Sequence, residues 1–416
     1  MANTLKFGNG EWYGKKDTIL AYNDENSNYK PLTFDFSRAS KATVINKDGL
    51  IEQVGSGQPR IDYKDDSKGA LKLEPSRTNT IIKSNSVTVM NYGGHITSSD
   101  NAAISPDGTF NAMSLIPNTS QNTHRLGYNT TAGTYTQNNI VTFSCFVKAD
   151  GYNFVSIGGF FGGEQAVFNI SNGTFVSQNS SVINTKIVKL PNDWYRLSTT
   201  YTFQNSIGNG YLYAGIQVMD SETGYAFTGD GVKGVYAYGI QAEVGSYPTS
   251  YIPTQGSTVT RLADSCANGG NEQVINSTEG VLYTEISTLA NDGARGISIS
   301  SGSNNDRIFI SYNTNGRLDA NVRSGGSYQA IFNYTGVVNP NIQNKIALKY
   351  KLNDFALWVN GVEVATDSSG ITPIGLNVLN FSTAISSSDK WYGKVKDVRV
   401  YNTALSDQEL ISLTQV

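Results

Sequence analysis

The chain has 416 residues, 42 of them Gly and 24 Tyr, with only 16% charged side chains and a net charge of −3. This excludes a coiled coil or helical bundle, which draws about half its residues from Ala, Glu, Lys, Leu and Arg. It also excludes collagen, because no glycine period of three runs through the chain, and the 11% aromatic content excludes global disorder. No run of Lys and Arg offers phosphates a partner, so no nucleic acid is expected. No apolar stretch reaches the about 20 residues of a membrane-spanning helix, so no membrane insertion is expected. What remains is an all-β protein whose polar surface is amide and hydroxyl, long enough for two or three domains.

The first element is a polar, aromatic stretch over residues 1–33, with Leu5, Phe7, Trp12 and Tyr13 and no helical period. It is too short for a core of its own. Two readings stand: an arm that orders on a partner, or a strand laid over the following domain. Its first residues, Met1-Ala2-Asn3-Thr4-Leu5-Lys6, lack the basic-then-apolar pattern of a signal peptide. Synthesis in a cytosol without export by that route is expected.

Residues 34–80 read as a small β module. Asp48-Gly49 between Ala42-Thr43-Val44-Ile45 and Leu50-Ile51-Glu52-Gln53-Val54 is a two-residue hairpin signal. Arg38, Arg60 and Arg77 stand beside turn residues. A guanidinium fork binds several backbone carbonyls at once, so these arginines read first as internal clamps and second as a ligand-binding triad. Residues 81–255 read as strands separated by Gly-rich turns, which indicates a β-sandwich or jelly roll. Cys145 alternates with Val141, Phe143 and Val147 and reads as a buried apolar residue. The stretch from Ser246 to Gly256 carries Pro248 and Pro253 and reads as an extended connector, with Cys266 in polar linker sequence beyond it. Two cysteines form no disulfide framework, although a bridge between them stays open.

The last unit spans about 260–416. Ile346, Leu348 and Tyr350 alternate on one strand and Phe355, Leu357 and Val359 on the next, and Asn360-Gly361 is a type I′ turn signal. Ser406-Asp407-Gln408-Glu409 is a capping box with Leu405 and Leu410 as its hydrophobic staple. It predicts one short C-terminal helix. The expected fold class is therefore all-β: an extended arm, a small β module, two β-sandwich domains and that helix.

The residues Phe34-Asp35-Phe36-Ser37-Arg38-Ala39-Ser40, Asp48-Gly49-Leu50-Ile51, Pro59-Arg60-Ile61-Asp62-Tyr63 and Leu71-Lys72-Leu73-Glu74-Pro75-Ser76-Arg77-Thr78-Asn79 together resemble a module of bacteriophage head and tail fibre proteins. Gly239-Ile240-Gln241-Ala242-Glu243 with Tyr247-Pro248-Thr249-Ser250-Tyr251-Ile252-Pro253-Thr254 resembles the end of the jelly roll that follows such a module, and is similar to carbohydrate-binding modules of secreted hydrolases. Phe355-Ala356-Leu357-Trp358-Val359-Asn360-Gly361 with Gly393-Lys394-Val395-Lys396-Asp397-Val398-Arg399-Val400-Tyr401-Asn402 resembles a laminin-G/concanavalin A-like domain. These resemblances imply a virion fibre of head or tail, exposed on the particle and binding host-surface glycan. They imply a homotrimer, and other virion proteins held by an anchoring arm through Leu5, Phe7, Trp12 and Tyr13. A secreted bacterial accessory protein or adhesin and a capsule depolymerase are the alternatives.

Sugar binding needs aromatic faces with amide and carboxylate groups around them. The loop candidates are Tyr152, Phe160, Phe161, Tyr328 and Trp391. No catalysis is expected, because no Glu-x-Asp-x-x-Glu strand pattern is present. His124-Arg125 beside Tyr128 is the one grouping that would suit a lyase. Asp397, Arg399 and Tyr401 alternate along one strand and read as a structural polar face. No cofactor is expected. A structural calcium ion would fall on turn aspartates, of which Asp292, Asp306 and Asp319 are the candidates, with Asp354 in similar context.

Overall fold

The computed structural model describes residues 3–90, 92–130, 133–161, 163–204, 210–384 and 389–416. Among the described residues the chain is all-β with one short α-helix. It divides into two compact units, each assembled from separate stretches of sequence. The first comprises Met1–Lys41, Val54–Pro75 and Leu262–Val416, and the second Ala42–Gln53 and Ser76–Arg261. Residues 34–80, expected as one small module, are thus shared between the two.

The first unit is a sandwich. One sheet runs in the order Val362–Asp367, Asp354–Val359, Asn344–Lys351, Glu279–Thr288, Gly393–Tyr401, Ala70–Leu73, Ile61–Asp62. The other runs Ser327–Tyr334, Leu318–Ser324, Arg307–Tyr312, Arg295–Ser300, Val378–Asn380. Side chains alternate across a strand. Ile297, Ile299, Ile308, Ile310, Leu318 and Val322 therefore face Leu282, Ile286, Ile346, Leu348, Val398 and Val400 in one core. Each such side chain contributes about 1.5–3 kcal/mol by its burial. The expected type I′ turn is present, with Asn360 and Gly361 both at positive φ. The capping box also forms. The Ser406 N–H donates to Glu409 Oε2 at 2.9 Å and starts the helix Asp407–Thr414. Leu405, Leu410 and Leu413 pack that helix on the outside of the first sheet, against Val281, Tyr283 and Trp358.

The beginning of the chain is a strand rather than a free arm. Leu5–Gly8 pairs antiparallel with Gly393–Tyr401, placing Leu5 opposite Val400 and Phe7 opposite Val398. Both apolar side chains are buried in the core. The reason is a period of two, Leu5-Lys6-Phe7, that is too short to stand out in the sequence. Trp12 is partly buried and donates its indole N–H to Gly69 O at 3.3 Å. Of the four residues expected to anchor the chain to a virion, Tyr13 is the exposed one. Cys266, expected in a linker, lies in the strand Ser265–Ala267 opposite Phe36.

A buried ion cluster holds the separate stretches of this unit. Arg38 donates from Nε to Ser40 O at 2.9 Å and from Nη2 to Gly55 O at 2.7 Å and Gln58 O at 3.0 Å. Its Nη1 reaches Asp264 at 3.0 Å. Arg60 bonds Glu74 at 2.5 Å and also Asp264. The Glu74 N–H donates to Asp264 at 2.7 Å. The reading of these arginines as clamps holds for Arg38, and for Arg60 with carboxylates in place of carbonyls. Arg77 lies in the other unit, beside Glu243 and the Tyr247 ring.

The second unit is a jelly-roll sandwich of its own. One sheet runs Tyr92–Gly94, Gln121–Asn129, Tyr213–Met219, Phe154–Gly159, Glu164–Asn169, Thr174–Gln178. The other runs Ile96–Ile104, Phe110–Pro117, Gly234–Val244, Ile140–Asp150, Tyr195–Thr202, Val182–Lys189. Val155, Ile157, Phe168, Ile216 and Val218 of one share a core with Val141, Phe143, Cys145, Leu197 and Ile240 of the other. The hairpin of Ala42–Ile45 and Ile51–Val54 turns through Lys47–Gly49, one residue longer than expected. The Asn46 N–H pairs with Leu50 O at 2.9 Å, and Asn46 Oδ1 accepts from Asp48 and Leu50. Both cysteines are buried and free.

Residues 246–256 are not a connector. Thr249, Tyr251, Ile252 and Thr254 are buried in this unit. Glu243 accepts from the Thr249 N–H at 2.9 Å and hydroxyl at 2.7 Å, and Gln241 Oε1 accepts from the Ile252 N–H at 2.7 Å. Asn79 donates to Ile240 O and Ile252 O and accepts from Ile81 and Ala242. Side-chain amides and a carboxylate thereby satisfy backbone that has no strand partner, as buried polar backbone requires.

Two outcomes are expected from these networks. Asp264→Ala leaves two buried guanidinium groups without their shared carboxylate, and destabilises the first unit by about 3–5 kcal/mol in guanidinium denaturation of the full chain. A loss under about 1 kcal/mol would show the cluster to be dispensable. In the second unit Glu164 is buried, and that burial pushes its carboxyl from 4.5 up to about 7. A raised folded pKa favours the protonated native state. Its contribution is fully present below pH 4.5 and lost as pH rises to about 7. Melting temperature should fall across that window, and Glu164→Gln should flatten the fall. Parallel profiles for the two proteins would exclude Glu164 as its source.

Candidate functional site

The outer face of the five-stranded sheet in the first unit gathers the polar side chains that alternate with its core. Register sets Ser300 opposite Arg307, Arg307 opposite Arg323, and Arg323 opposite Tyr328. The next row is Ser298, Phe309, Asn321 and Ile331. Tyr328 is 51% exposed and Ile331 54%. Arg323 lies over the Tyr328 ring with its guanidinium carbon 5.3 Å from the centroid, and Arg307 over Phe309 at 4.9 Å. Gly296 makes room for the Phe309 ring, which occupies the space a side chain there would need.

The polar atoms of this face are unevenly engaged. Arg323 Nε donates to Gly326 O at 2.8 Å, and Arg307 Nη1 to Asn304 at 3.1 Å. Asn321 Oδ1 and Arg307 Nε are buried and have no hydrogen-bond partner. Burial also pulls the Arg307 guanidinium below its ordinary value. An exposed aromatic ring with a guanidinium stacked over it suits a hydroxyl-rich ligand with an apolar C–H face.

The five aromatic residues expected to bind sugar do not converge. Tyr328 lies on this face. Trp391 is 1% exposed and fills the core beside Tyr312, so it is not a binding residue. The other three are in the second unit. Tyr152 packs on Phe227 with centroids 5.2 Å apart. Phe160 stacks on Arg125 at 5.1 Å, and Phe161 meets Tyr213 edge-on at 5.4 Å. Arg307, Phe309, Asn321 and Arg323 were missed as a group. Their strict alternation in Arg307-Ile308-Phe309 and Asn321-Val322-Arg323 puts them on one face, but only strand pairing sets the two strands side by side.

The turn aspartates are also apart. Asp306 Oδ1 accepts backbone N–H groups of Gly325 at 3.0 Å and Ile374 at 3.2 Å. Asp319 pairs with Arg317 at 2.6 Å, Asp354 with Lys349 at 2.7 Å, and Asp292 with Arg295. Among the described residues no three His, Cys, Asp or Glu side chains come together as metal ligands. His124 is buried with both ring nitrogens against backbone carbonyls, of His95 and of Phe227, which is a structural setting rather than that of a lyase base. Asp397 takes Nε and Nη2 of Arg399 at 2.9 and 2.6 Å, in keeping with a structural polar face.

Residues 283–411 match the family model described as the concanavalin A-like lectin/glucanases superfamily, and this stretch contains the whole face just described. No curated protein matches the chain. Among solved structures, the CBM40 domain of the Ruminococcus gnavus IT-sialidase is 19% identical, covers 36% of this chain and 93% of its own, and superposes with a TM-score of 0.31. Domains LG4-5 of the mouse laminin alpha1 chain are 10% identical, with 69% of this chain and 90% of that chain covered, at a TM-score of 0.24. The Trypanosoma rangeli sialidase is 10% identical over 95% of this chain and 65% of its own, at 0.28. These superpositions are loose. The lectin-like fold rests on the family match and on the two packed sheets.

Proposed function

We propose that this protein is a glycan-binding fibre component of a phage particle, recognising saccharide on the host surface through the outer face of the five-stranded sheet. One observation carries the glycan reading. The exposed Tyr328 ring, with the Arg323 guanidinium stacked over it, lies within the stretch that matches the lectin family model. A ring stacks on the C–H face of a pyranose while a guanidinium group takes its hydroxyls. The face is held rigid by Phe309 over Gly296 and by the backbone bonds of Arg323, which lowers the entropy cost of binding. The reading is of binding without chemistry. The particle assignment is supported by the fibre-module resemblance of residues 34–79. A homotrimer, assembly on the virion surface and release at host lysis belong to the same proposal.

A glycan array probed with the full chain tests the recognition. At least one saccharide class should be retained, and Tyr328→Ala should weaken it about 10-fold or more, or ~1.4 kcal/mol. Retention unchanged by that substitution would move the site elsewhere. For the particle, immunogold labelling of purified phage should decorate the surface, and mass spectrometry of the same particles should find this chain. Particles lacking it would overturn the assignment.

A further inference from the structure

The chain carries six Asn-Gly pairs. In such a pair the backbone nitrogen of the glycine can attack the side-chain amide before it, because no Cβ shields that nitrogen. Five pairs lie within the described residues, beginning at Asn9, Asn172, Asn268, Asn315 and Asn360. In four of them the glycine N–H is engaged. Gly173 donates to Asn169 O at 3.0 Å, Gly269 to Leu379 O at 2.9 Å, Gly316 to Asn313 O at 3.0 Å and Gly361 to Thr414 Oγ1 at 3.1 Å. Among these five, the Gly10 N–H alone has no hydrogen-bond partner in the described residues.

Two of the pairs occupy the same kind of turn. Asn9 and Gly10 stand at φ 56° and 92°, and Asn360 and Gly361 at 49° and 87°. Ring closure onto the asparagine needs the glycine nitrogen to turn toward the side chain, so the turn must open. The Asn360 turn is locked against this. It lies between paired strands, with Val359 opposite Val362. Asn360 Nδ2 donates to Asn344 Oδ1 at 2.9 Å, and its Oδ1 accepts from the Lys345 N–H at 2.9 Å. The Asn9 turn is closed by a single bridge between Gly8 and Glu11, with one backbone bond of 3.3 Å. The Asn9 N–H donates to Lys396 O at 2.7 Å, which ties Asn9 to the sheet and leaves the exposed Gly10 as the part that moves.

A cation stands where the reaction develops negative charge. Lys68 Nζ donates to Asn9 Oδ1 at 3.0 Å, and both groups are at the surface. Lysine carries only donors, so the amide presents its oxygen to it and not its nitrogen. Attack on the amide carbon moves an electron pair onto that oxygen, and a fixed ammonium beside it stabilises the resulting charge. In the Asn360 turn the corresponding oxygen meets a neutral backbone N–H.

We propose that Asn9-Gly10 is a self-modifying site, where the Asn9 amide is converted to aspartate and isoaspartate ahead of the other four pairs. The Gly10 N–H gives its proton to hydroxide, and the nitrogen bonds to Asn9 Cγ. The Cγ–Nδ2 bond breaks, and Nδ2 takes a proton from water and leaves as ammonia. The closed succinimide is then opened by water at either carbonyl, so the net change is water in and ammonia out. Either product sets a carboxylate beside Lys68, and the isoaspartyl form also adds a methylene to the main chain inside a two-residue turn.

Peptide mapping by mass spectrometry tests this, with the natural full chain kept folded in warm, mildly alkaline buffer. The Asn9 peptide should show the ammonia-free ring and then two separable hydrolysed forms. Its conversion should run about 10-fold or more faster than any of the other four, or ~1.4 kcal/mol in barrier. In guanidinium that lead should collapse, because every glycine N–H is then free. Lys68→Ala, a substitution of an exposed side chain, should slow conversion at Asn9 alone. Asn9 left intact, or converted no sooner than the other four, overturns the proposal. A lead that persists unchanged in guanidinium does so too, since it would belong to the sequence and not to the fold. So does an Asn9 rate unaltered in Lys68→Ala.

Discussion

One buried carboxylate organises the first unit. Asp264 takes Arg38 on one oxygen and Arg60 on the other, and the second oxygen also caps the Glu74 backbone. Arg38, Arg60 and Glu74, close to one another in sequence, meet there a residue 190 positions beyond Glu74. Removing ions from water costs several kcal/mol each, and such a cluster stabilises only when every member is present and correctly placed. It therefore acts as a check on assembly. The early hairpins and the C-terminal sandwich reach their full set of partners only when all are folded together. The unmet demands of an irregular backbone are handled in the same step, since Arg38 also serves the carbonyls of Ser40, Gly55 and Gln58.

The second unit meets the same need mainly with side-chain amides and a carboxylate, with Arg196 donating to Thr249 O at 2.6 Å. Asn79, Gln241 and Glu243 satisfy the segment from Thr249 to Ile252, which has no strand partner. Burial raises the Glu243 carboxyl, and the bonds from Thr249 and Gln241 oppose that rise. The network has a consequence for the surface. It fixes the path of the backbone on which Tyr251 and Pro253 stand. Thr43 adds a bond to Tyr251 O at 2.6 Å, and Tyr251 then forms one wall of a half-open cavity of about 260 Å³. The polar groups that complete the fold are thus also those that shape this cavity.

This explains what could be read from the sequence and what could not. The all-β class, the Asn360-Gly361 turn and the capped helix after Ser406 rest on local rules, and each is present. The arginine clamp was legible as a role, because a guanidinium next to turn residues has few other uses. Its carboxylate was not, since Asp264 lies 204 residues from Arg60. For Leu5–Gly8 the strand was one of two readings the sequence left open, and the packed segment 249–254 was misread, because both are governed by distant partners. In the first the apolar period is too short, and in the second prolines suggested a connector. Trp391 shows the same limit for single aromatics. Nothing local separates a ring that fills a core from one that faces a ligand.

The conspicuous motifs were in fact poor guides to recognition, for a physical reason. Arg38, Arg60, Glu74, Asn79, Gln241 and Glu243 stand out in sequence, yet each meets partners within its own unit. A side chain fully engaged inside the fold has little left to offer a ligand. Unpartnered buried side-chain atoms do remain among the described residues, on several residue types: the oxygens of Asn85, Asn111 and Asn321 and the indole nitrogens of Trp358 and Trp391 are examples. Leaving such an atom unmet costs about 1–3 kcal/mol, a sizeable share of a domain's net stability of about 5–15 kcal/mol. The fold carries that cost at scattered buried positions in both units, where no ligand reaches the atoms concerned. A surface that recognises a ligand must therefore do so through groups that stay exposed, as the Tyr328 ring does.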